Sequence, residues 1–216
     1  MKFQCHNNEL GKKIAEALLD IEAIKLSPTQ PFTWASGWKS PIYCDNRLSL
    51  SFPEVRTLVK NALKDVLVTH FPDAEVIAGV ATAGIPQGAL LADEAGLPFI
   101  YVRSKSKSHG LANQIEGIVE KGQKVLVIED LVSTGGSSLA AVNALMEKGT
   151  EVLGMASIFT YGFPVAKDNF GKQETDLVYL SEYSILLDLA IEKGVIDEDM
   201  KKTLDDWRQN PSKWSP

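Results

Sequence analysis

The sequence predicts an α/β fold: a mostly parallel sheet flanked by helices. Three observations carry this expectation. Short apolar runs, such as Val125-Leu126-Val127-Ile128, alternate with segments of helical periodicity along the second half of the chain. Those runs are apolar throughout, without in–out alternation, as strands covered on both faces must be. The 216 residues, 44% hydrophobic and 23% charged, suit one domain that buries a real core. No internal repeat or low-complexity tract interrupts residues 1–216.

The elements follow in order. Ile14, Ala17, Leu18 and Ile21 recur at helical spacing, which predicts an amphipathic helix over about residues 8–22. Residues 24–50 are aromatic, irregular and rich in turn formers, and read as short strands and loops forming a small hood. "SFPEVRTLVKNALKDVLVTHF" reads as a helix. Ser51 and Glu54 have capping-box spacing, and Val55, Leu58, Val59, Ala62, Leu63, Val66 and Leu67 form the buried stripe. "EVIAGVA" is then a strand, "IPQGALLADEAG" a helix and "LPFIYV" a strand. After a polar stretch, "KVLVIED" is a strand and "SSLAAVNALMEKG" a helix with Leu139, Val142, Leu145 and Met146 inward. "TEVLGMASIFT" and "TDLVYLSE" supply further strands. Helical patterns around "YSILLDLAIEKG" and "DEDMKKTLDDW" close the chain, the second leading into a tail with Trp207 and Trp214, suited to docking on the domain or on a partner.

Composition excludes several functions. A net charge of −6 argues against a general nucleic-acid or anionic-membrane surface. Cys5 and Cys44 make no disulfide framework and lack metal-ligand spacing, which fits reduced thiols in a cytosol. "MKFQCHNNEL" has no apolar signal core, and no run approaches the ~20 apolar residues of a membrane helix. The expectation is a cytoplasmic protein.

The chemistry concentrates in "IEDLVSTGGSS", residues 128–138. A strand, an acid pair, a glycine turn and a helix start follow one another there. In such sheets ligands bind beyond the carboxyl ends of the strands. The turn's N–H groups, the Thr134 and Ser137 hydroxyls and the dipole of the helix N-terminus favour a phosphate, while Gly135 and Gly136 allow close approach or positive φ. Glu129 and Asp130 are out of place beside phosphate alone. They make sense if the ligand also offers vicinal hydroxyls, so a ribose 5-phosphate satisfies both demands. Other phosphate motifs fail: "GTEVLGMA" has Met155 where a P-loop needs Lys, and "GVATAGIPQG" lacks dinucleotide-fingerprint spacing.

The segment resembles the signature of the type I phosphoribosyltransferases. The resemblance implies that Glu129 and Asp130 hold the ribose hydroxyls of phosphoribosyl pyrophosphate, and that Leu131, Val132, Ser133, Thr134, Gly135, Gly136 and Ser137 wrap its 5-phosphate. "GVATAGIPQGA", residues 79–89, is a second strand–turn–helix unit whose Thr82, Ala83 and Gly84 match the family's pyrophosphate loop. Some members carry Lys where Ala83 stands, so here the cation must come from elsewhere.

"RSKSKSHGLANQIEG" supplies it. Arg103, Lys105, Lys107 and His109 crowd a stretch with no large apolar residue between Val102 and Leu111, a composition that predicts a functional lid. The stretch resembles the catalytic loop of orotate phosphoribosyltransferases. That implies a mobile loop over about 103–116, with Arg103, Lys107 and His109 closing over pyrophosphate in the neighbouring subunit of a homodimer. Some members have a second Lys directly after the Arg; here that position is Ser104. The region 24–50 resembles the family's orotate-side hood, with Lys25 at the phosphoribosyl pyrophosphate and Phe32, Thr33 and Ser133 at the orotate. One departure stands out. The strand ending "SIFTYGF" lacks the Arg that in some members binds the orotate carboxylate, which leaves Lys39 and Arg47 as candidates by proximity in sequence.

The likeness spans roughly residues 10–190 and implies transfer of a phosphoribosyl group to orotate. Lys107, His109, Arg103 and Asp130 would be catalytic. Magnesium would be held mainly through substrate and water, with no direct protein cage. Two alternatives remain at this stage: transfer to another base, or a regulator that only senses phosphoribosyl pyrophosphate. A regulator tends to lose the loop cations and gain a nucleic-acid surface, whereas this chain keeps the cations.

Overall fold

The computed structural model describes residues 1–34, 37–103 and 114–214. In chain order it comprises β1 (Phe3–Cys5), α1 (Asn8–Asp20), β2 (Ile24–Leu26), β3 (Phe32–Thr33), β4 (Lys39–Ser40), β5 (Ile42–Cys44) and a 3-10 helix (Asn46–Ser51). Then come α2 (Pro53–His70), β6 (Val76–Val80), α3 (Gly84–Ala95), β7 (Phe99–Val102), β8 (Ile115–Glu116), β9 (Lys124–Val132) and α4 (Gly136–Glu147). β10 (Glu151–Thr160), α5 (Pro164–Lys172), β11 (Leu177–Glu182), α6 (Tyr183–Glu192) and α7 (Glu198–Gln209) complete it.

Seven strands form one sheet in the order β1-β11-β10-β9-β6-β7-β8. Every pairing is parallel except β7 with β8. The predicted α/β class is the observed one. Val125 to Ile128 of central β9 are fully buried, which is why that stretch is continuously apolar. The hood is two small antiparallel pairs, β2 with β5 and β3 with β4.

Several details differ from the sequence reading. β1 is an unpredicted edge strand of three residues, set parallel to β11 and fastened where the Lys2 N–H donates to Asp176 at 2.6 Å. It is too short to show a period. α5 is also unpredicted: only Ala166 and Phe170 are buried, so its apolar signal is sparse, and Pro164 at its first turn marks the start. The Ser51–Glu54 capping box does not form. Ser51 belongs to the 3-10 helix, and α2 begins at Pro53, which has no N–H to satisfy. Val59, Ala62, Leu63, Val66 and Leu67 of its stripe are buried, whereas Val55 and Leu58 line an open groove with Phe52. Met146 is 43% exposed, and Ala141 and Ala144 take inward places on α4 instead.

Candidate active site

Three loops meet at the carboxyl edge of the sheet. β6 leads into Ala81–Ala83, β7 into Arg103 and β9 into Ser133–Gly135. The first two loops are stitched together where the Ala81 N–H donates to the Val102 carbonyl, 2.8 Å. Gly84 brings the first beside the third: a Cβ there would collide with the Ile128 carbonyl of β9, so α3 starts in direct backbone contact with the strand that bears the acids. Thr82, Ala83 and Gly84 thus sit next to Glu129 and Asp130. Arg103 lies at the same edge, with its N–H donating to the Gln114 carbonyl at 2.8 Å and its guanidinium 3.4 Å from Glu116. Lys105, Lys107 and His109 lie outside the described residues.

The two acids are not equivalent. β9 runs two residues past Asp130, so both acids are strand residues. Glu129 is only 6% exposed; its carboxylate accepts from the Asp130 N–H (3.1 Å) and the Ser138 hydroxyl (3.0 Å). Burial, reinforced by the Asp130 charge, pushes Glu129 well above the usual carboxylate range. Asp130 is half-buried, and burial raises it too, against the pull of hydrogen bonds and of Arg47. The two carboxyls are also hydrogen-bonded to each other, so a proton favoured on Glu129 by burial is held between neighbouring acids at the end of β9.

A stability prediction follows. A carboxyl whose folded pKa lies above its ordinary 4.5 contributes stability that is full below that value and is lost as pH rises through the folded pKa. Glu129→Gln cannot ionise; its amide oxygen still accepts from the Asp130 N–H, and its NH₂ can donate to the Ser138 oxygen. Its melting temperature should exceed the parent's in mildly alkaline buffer, and the two should converge towards pH 4.5. Melting curves across that range check it; a difference that is independent of pH would show that Glu129 does not titrate in the fold.

The turn between β9 and α4 has an open N-terminal end. Gly135 takes φ 80° and caps α4, whose first turn has no side-chain cap, so its leading N–H groups point outward unclaimed by a side chain. A Cβ on Gly136 would meet only the Thr134 hydroxyl at 3.9 Å, leaving open space over the turn. Ser137 is exposed beside it. Asn169 of α5, which sequence reasoning missed, donates to the Thr134 carbonyl at 3.0 Å and holds the turn from behind. Val132 is fully buried, so it contributes backbone only, while Leu131 and Ser133 on either side line the neighbouring cavity.

That cavity, about 390 Å³, lies between the hood and the end of β9 and is lined by Thr33, Trp34, Tyr43, Cys44, Leu131, Ser133 and Tyr161. Phe32 packs on Tyr43 with ring centroids 5.7 Å apart. Lys25 sits opposite Tyr43 across β2 and β5, hence on the same face, and is ion-paired to Glu22 at 2.8 Å. Beneath the cavity, Trp34 and Tyr161 pack on Trp207 of α7 at 5.5 and 5.7 Å. Trp207 is fully buried, and its indole N–H donates to the Lys39 carbonyl of β4 at 3.1 Å. The Trp-bearing tail docks on its own domain. Cys44 stays protonated because burial first, then Asp130 and Asp45, push its thiol up.

The two cations left open by the sequence are now distinct. Arg47 is held by Asp45 through two hydrogen bonds of 2.6 and 2.8 Å. The Lys39 ammonium donates to the Thr33 hydroxyl at 2.8 Å, at the wall of the cavity.

A phosphate turn, an acid able to take sugar hydroxyls and an aromatic-walled pocket thus adjoin in one cleft. The phosphoribosyl transferase domain family matches residues 49–180. An orotate phosphoribosyltransferase of Cytophaga hutchinsonii is 57% identical over 203 residues, 94% of this chain and 97% of its own. The chain belongs to the orotate phosphoribosyltransferase family. The Bacillus subtilis member is 56% identical over 205 residues, 95% of both chains. The crystal structure of the Aeropyrum pernix orotate phosphoribosyltransferase superposes with a TM-score of 0.74 at 26% identity, covering 85% of this chain and 99% of that one. Within the orotate phosphoribosyltransferase fold, Cys44, Tyr161 and Asn169 escaped the sequence reading because they lie in three separate segments with no local pattern to flag them.

Proposed function

We infer that the chain transfers the 5-phosphoribosyl group from phosphoribosyl pyrophosphate to orotate, giving orotidine 5-phosphate and pyrophosphate. The observation that carries this reading is the adjacency of Asp130, the open first turn of α4 and the aromatic cavity, which supplies ribose, phosphate and base ends in one cleft. In the reaction the C1–O bond to pyrophosphate breaks, a C1–N bond to the base forms, and the base loses its N–H proton. Positive charge grows on the ribose and negative charge on the leaving group. Asp130 answers the first. Arg103, Lys107 and His109 answer the second, with Thr82, Ala83 and Gly84 presenting backbone N–H groups.

Magnesium fits this donor set. Among the described residues no group of three or more His, Cys, Asp or Glu is arranged to hold a metal, and magnesium would be held mainly through pyrophosphate and ribose oxygens and water, beside the Asp130 carboxylate. Bound there, the ion would screen the pyrophosphate charge. The reading extends to a cytoplasmic homodimer whose subunits share the 103–116 segment; no described helix is long and apolar enough to cross a membrane.

Lys39 is the partner we assign to the orotate carboxylate, because Arg47 already has Asp45 in its fork whereas Lys39 reaches the cavity wall against a neutral hydroxyl. Lys39→Ala should raise the orotate KM about tenfold, the loss expected for one charge-assisted contact. The KM for phosphoribosyl pyrophosphate should hold. An unchanged orotate KM would return the role to Arg47 or another group.

The deciding experiment offers orotate, uracil, adenine, hypoxanthine and xanthine in parallel, with magnesium and phosphoribosyl pyrophosphate. Base consumption and pyrophosphate release are followed. Consumption of orotate alone supports the reading. Preference for another base would overturn the base assignment while sparing the phosphate site, and binding without any transfer would make the protein a sensor.

A further inference from the structure

A buried polar chain links the three subsites, and none of Gln87, Ser49 and Asn46 was assigned a role at the site above. It begins at Gln87 in the first turn of α3, just after the second phosphate loop, 1% exposed. The Gln87 side-chain N–H donates to the Ser49 hydroxyl at 3.2 Å. Ser49, fully buried in the 3-10 helix, passes its own proton to the Asn46 carbonyl at 2.6 Å. Asn46, 1% exposed, donates from its amide to the Asp130 carbonyl at 2.8 Å, and its amide oxygen receives the Cys44 thiol at 3.3 Å. The α3 helix, the backbone of Asp130 and the wall of the aromatic cavity are thus joined through buried side chains and two main-chain carbonyls, those of Asn46 and Asp130.

The chain is not built for stability. Ser49 has one proton and spends it on Asn46, so the Gln87 group facing it must be the amide NH₂. The Gln87 carbonyl oxygen is then left buried with no hydrogen-bond partner among the described residues. An unpaired buried acceptor is destabilising, and an apolar side chain of the same shape would remove that penalty. What Gln supplies that Met does not is the donor to Ser49.

We propose that Asn46, with Ser49 and Gln87 behind it, is a positioning brace for the transfer: it fixes Asp130 relative to the pyrophosphate loop and the base cavity so that the three ends of the substrate pair meet in register. The idea rests on the reaction inferred above. Binding energy at one subsite serves the chemistry at another only if the subsites keep a fixed separation, and small misplacements cost rate steeply.

Two variants test it. Asn46→Asp keeps the shape and the acceptor for Cys44 but removes the donor to Asp130. It should lower kcat/KM for phosphoribosyl pyrophosphate about tenfold to a hundredfold, the scale seen for reacting groups displaced by about an ångström. Gln87→Met keeps volume and removes both the donor and the orphaned oxygen. Its melting temperature should equal or exceed the parent's while kcat/KM falls several-fold. A purely structural role predicts that stability and activity move together; the brace predicts that they part. The double variant should lose less than the product of the single losses, because both cut the same chain. A Gln87→Met enzyme with parental kcat/KM overturns the proposal even where Asn46→Asp fails to fold. If the parent transfers nothing to orotate, the reaction reading fails. The brace is then judged by calorimetric affinity for phosphoribosyl pyrophosphate, and an unchanged affinity in Gln87→Met, or none in the parent, overturns it too.

Discussion

The Lys107→Ala enzyme should turn over about a hundredfold to a thousandfold more slowly than the parent. A unit charge about 4 Å from the leaving pyrophosphate, at an effective dielectric near 20, interacts with it by about 4 kcal/mol. Were all of that confined to the transition state, it would correspond to about three decades of rate. Some is spent on the ground state, hence the lower bound. Ala83 sharpens the expectation: with no Lys in the second loop, the family's other source of positive charge is missing there. No large apolar residue lies between Val102 and Leu111, so the substitution should leave the melting temperature unchanged. Stopped assays of pyrophosphate release, with Lys107→Arg alongside, decide the matter. An alanine variant within tenfold of the parent would remove Lys107 from the catalytic set.

The largest expected loss of stability lies at the other end of the chain. Trp207→Ala should destabilise the protein by about 3–5 kcal/mol, the cost of emptying a large aromatic site. The Lys39 carbonyl loses its indole donor in the same stroke. For a chain of this length such a loss corresponds to roughly 6–20 °C in melting temperature. The orotate KM should rise as well, because Trp207 supports Trp34 and Tyr161 under the cavity, while phosphoribosyl pyrophosphate affinity should change little. Trp207→Phe separates the causes, keeping most of the packing and losing the N–H. Equal orotate KM values in parent and alanine variant would show that the hood holds its shape without α7.

How much of this was readable in the sequence depends on distance along the chain. The central strands were legible because a strand covered on both faces has to be apolar at every position, as Val125 to Ile128 are. The strand–turn–helix unit was legible because its parts are contiguous: acids, hydroxyls, Gly135 and a helix start follow within eleven residues, 128–138. β1 and α5 escaped because three residues, or two buried positions in nine, leave no period to detect. The aromatic cavity was legible only in part. Thr33 and Ser133 stood out through the family likeness, but Trp34, Tyr43 and Tyr161 come from separate elements, and only the fold brings them together. Glu129 and Asp130 are adjacent letters, yet Glu129 is buried with Ser138 of α4 on its carboxylate while Asp130 is only half-buried, a difference made by where α4 packs.

The anchor of the hood is also late to be made. Synthesis proceeds from the N-terminus, so β3, β4 and the rings of Trp34 and Tyr161 emerge from the ribosome well before Trp207 does. Until α7 follows, the face those rings present is uncovered and the Lys39 carbonyl lacks its indole donor. The cover over these rings therefore comes from a segment made after every strand of the sheet, and until it docks an aromatic surface is open to chaperones or to a neighbouring chain on the same message.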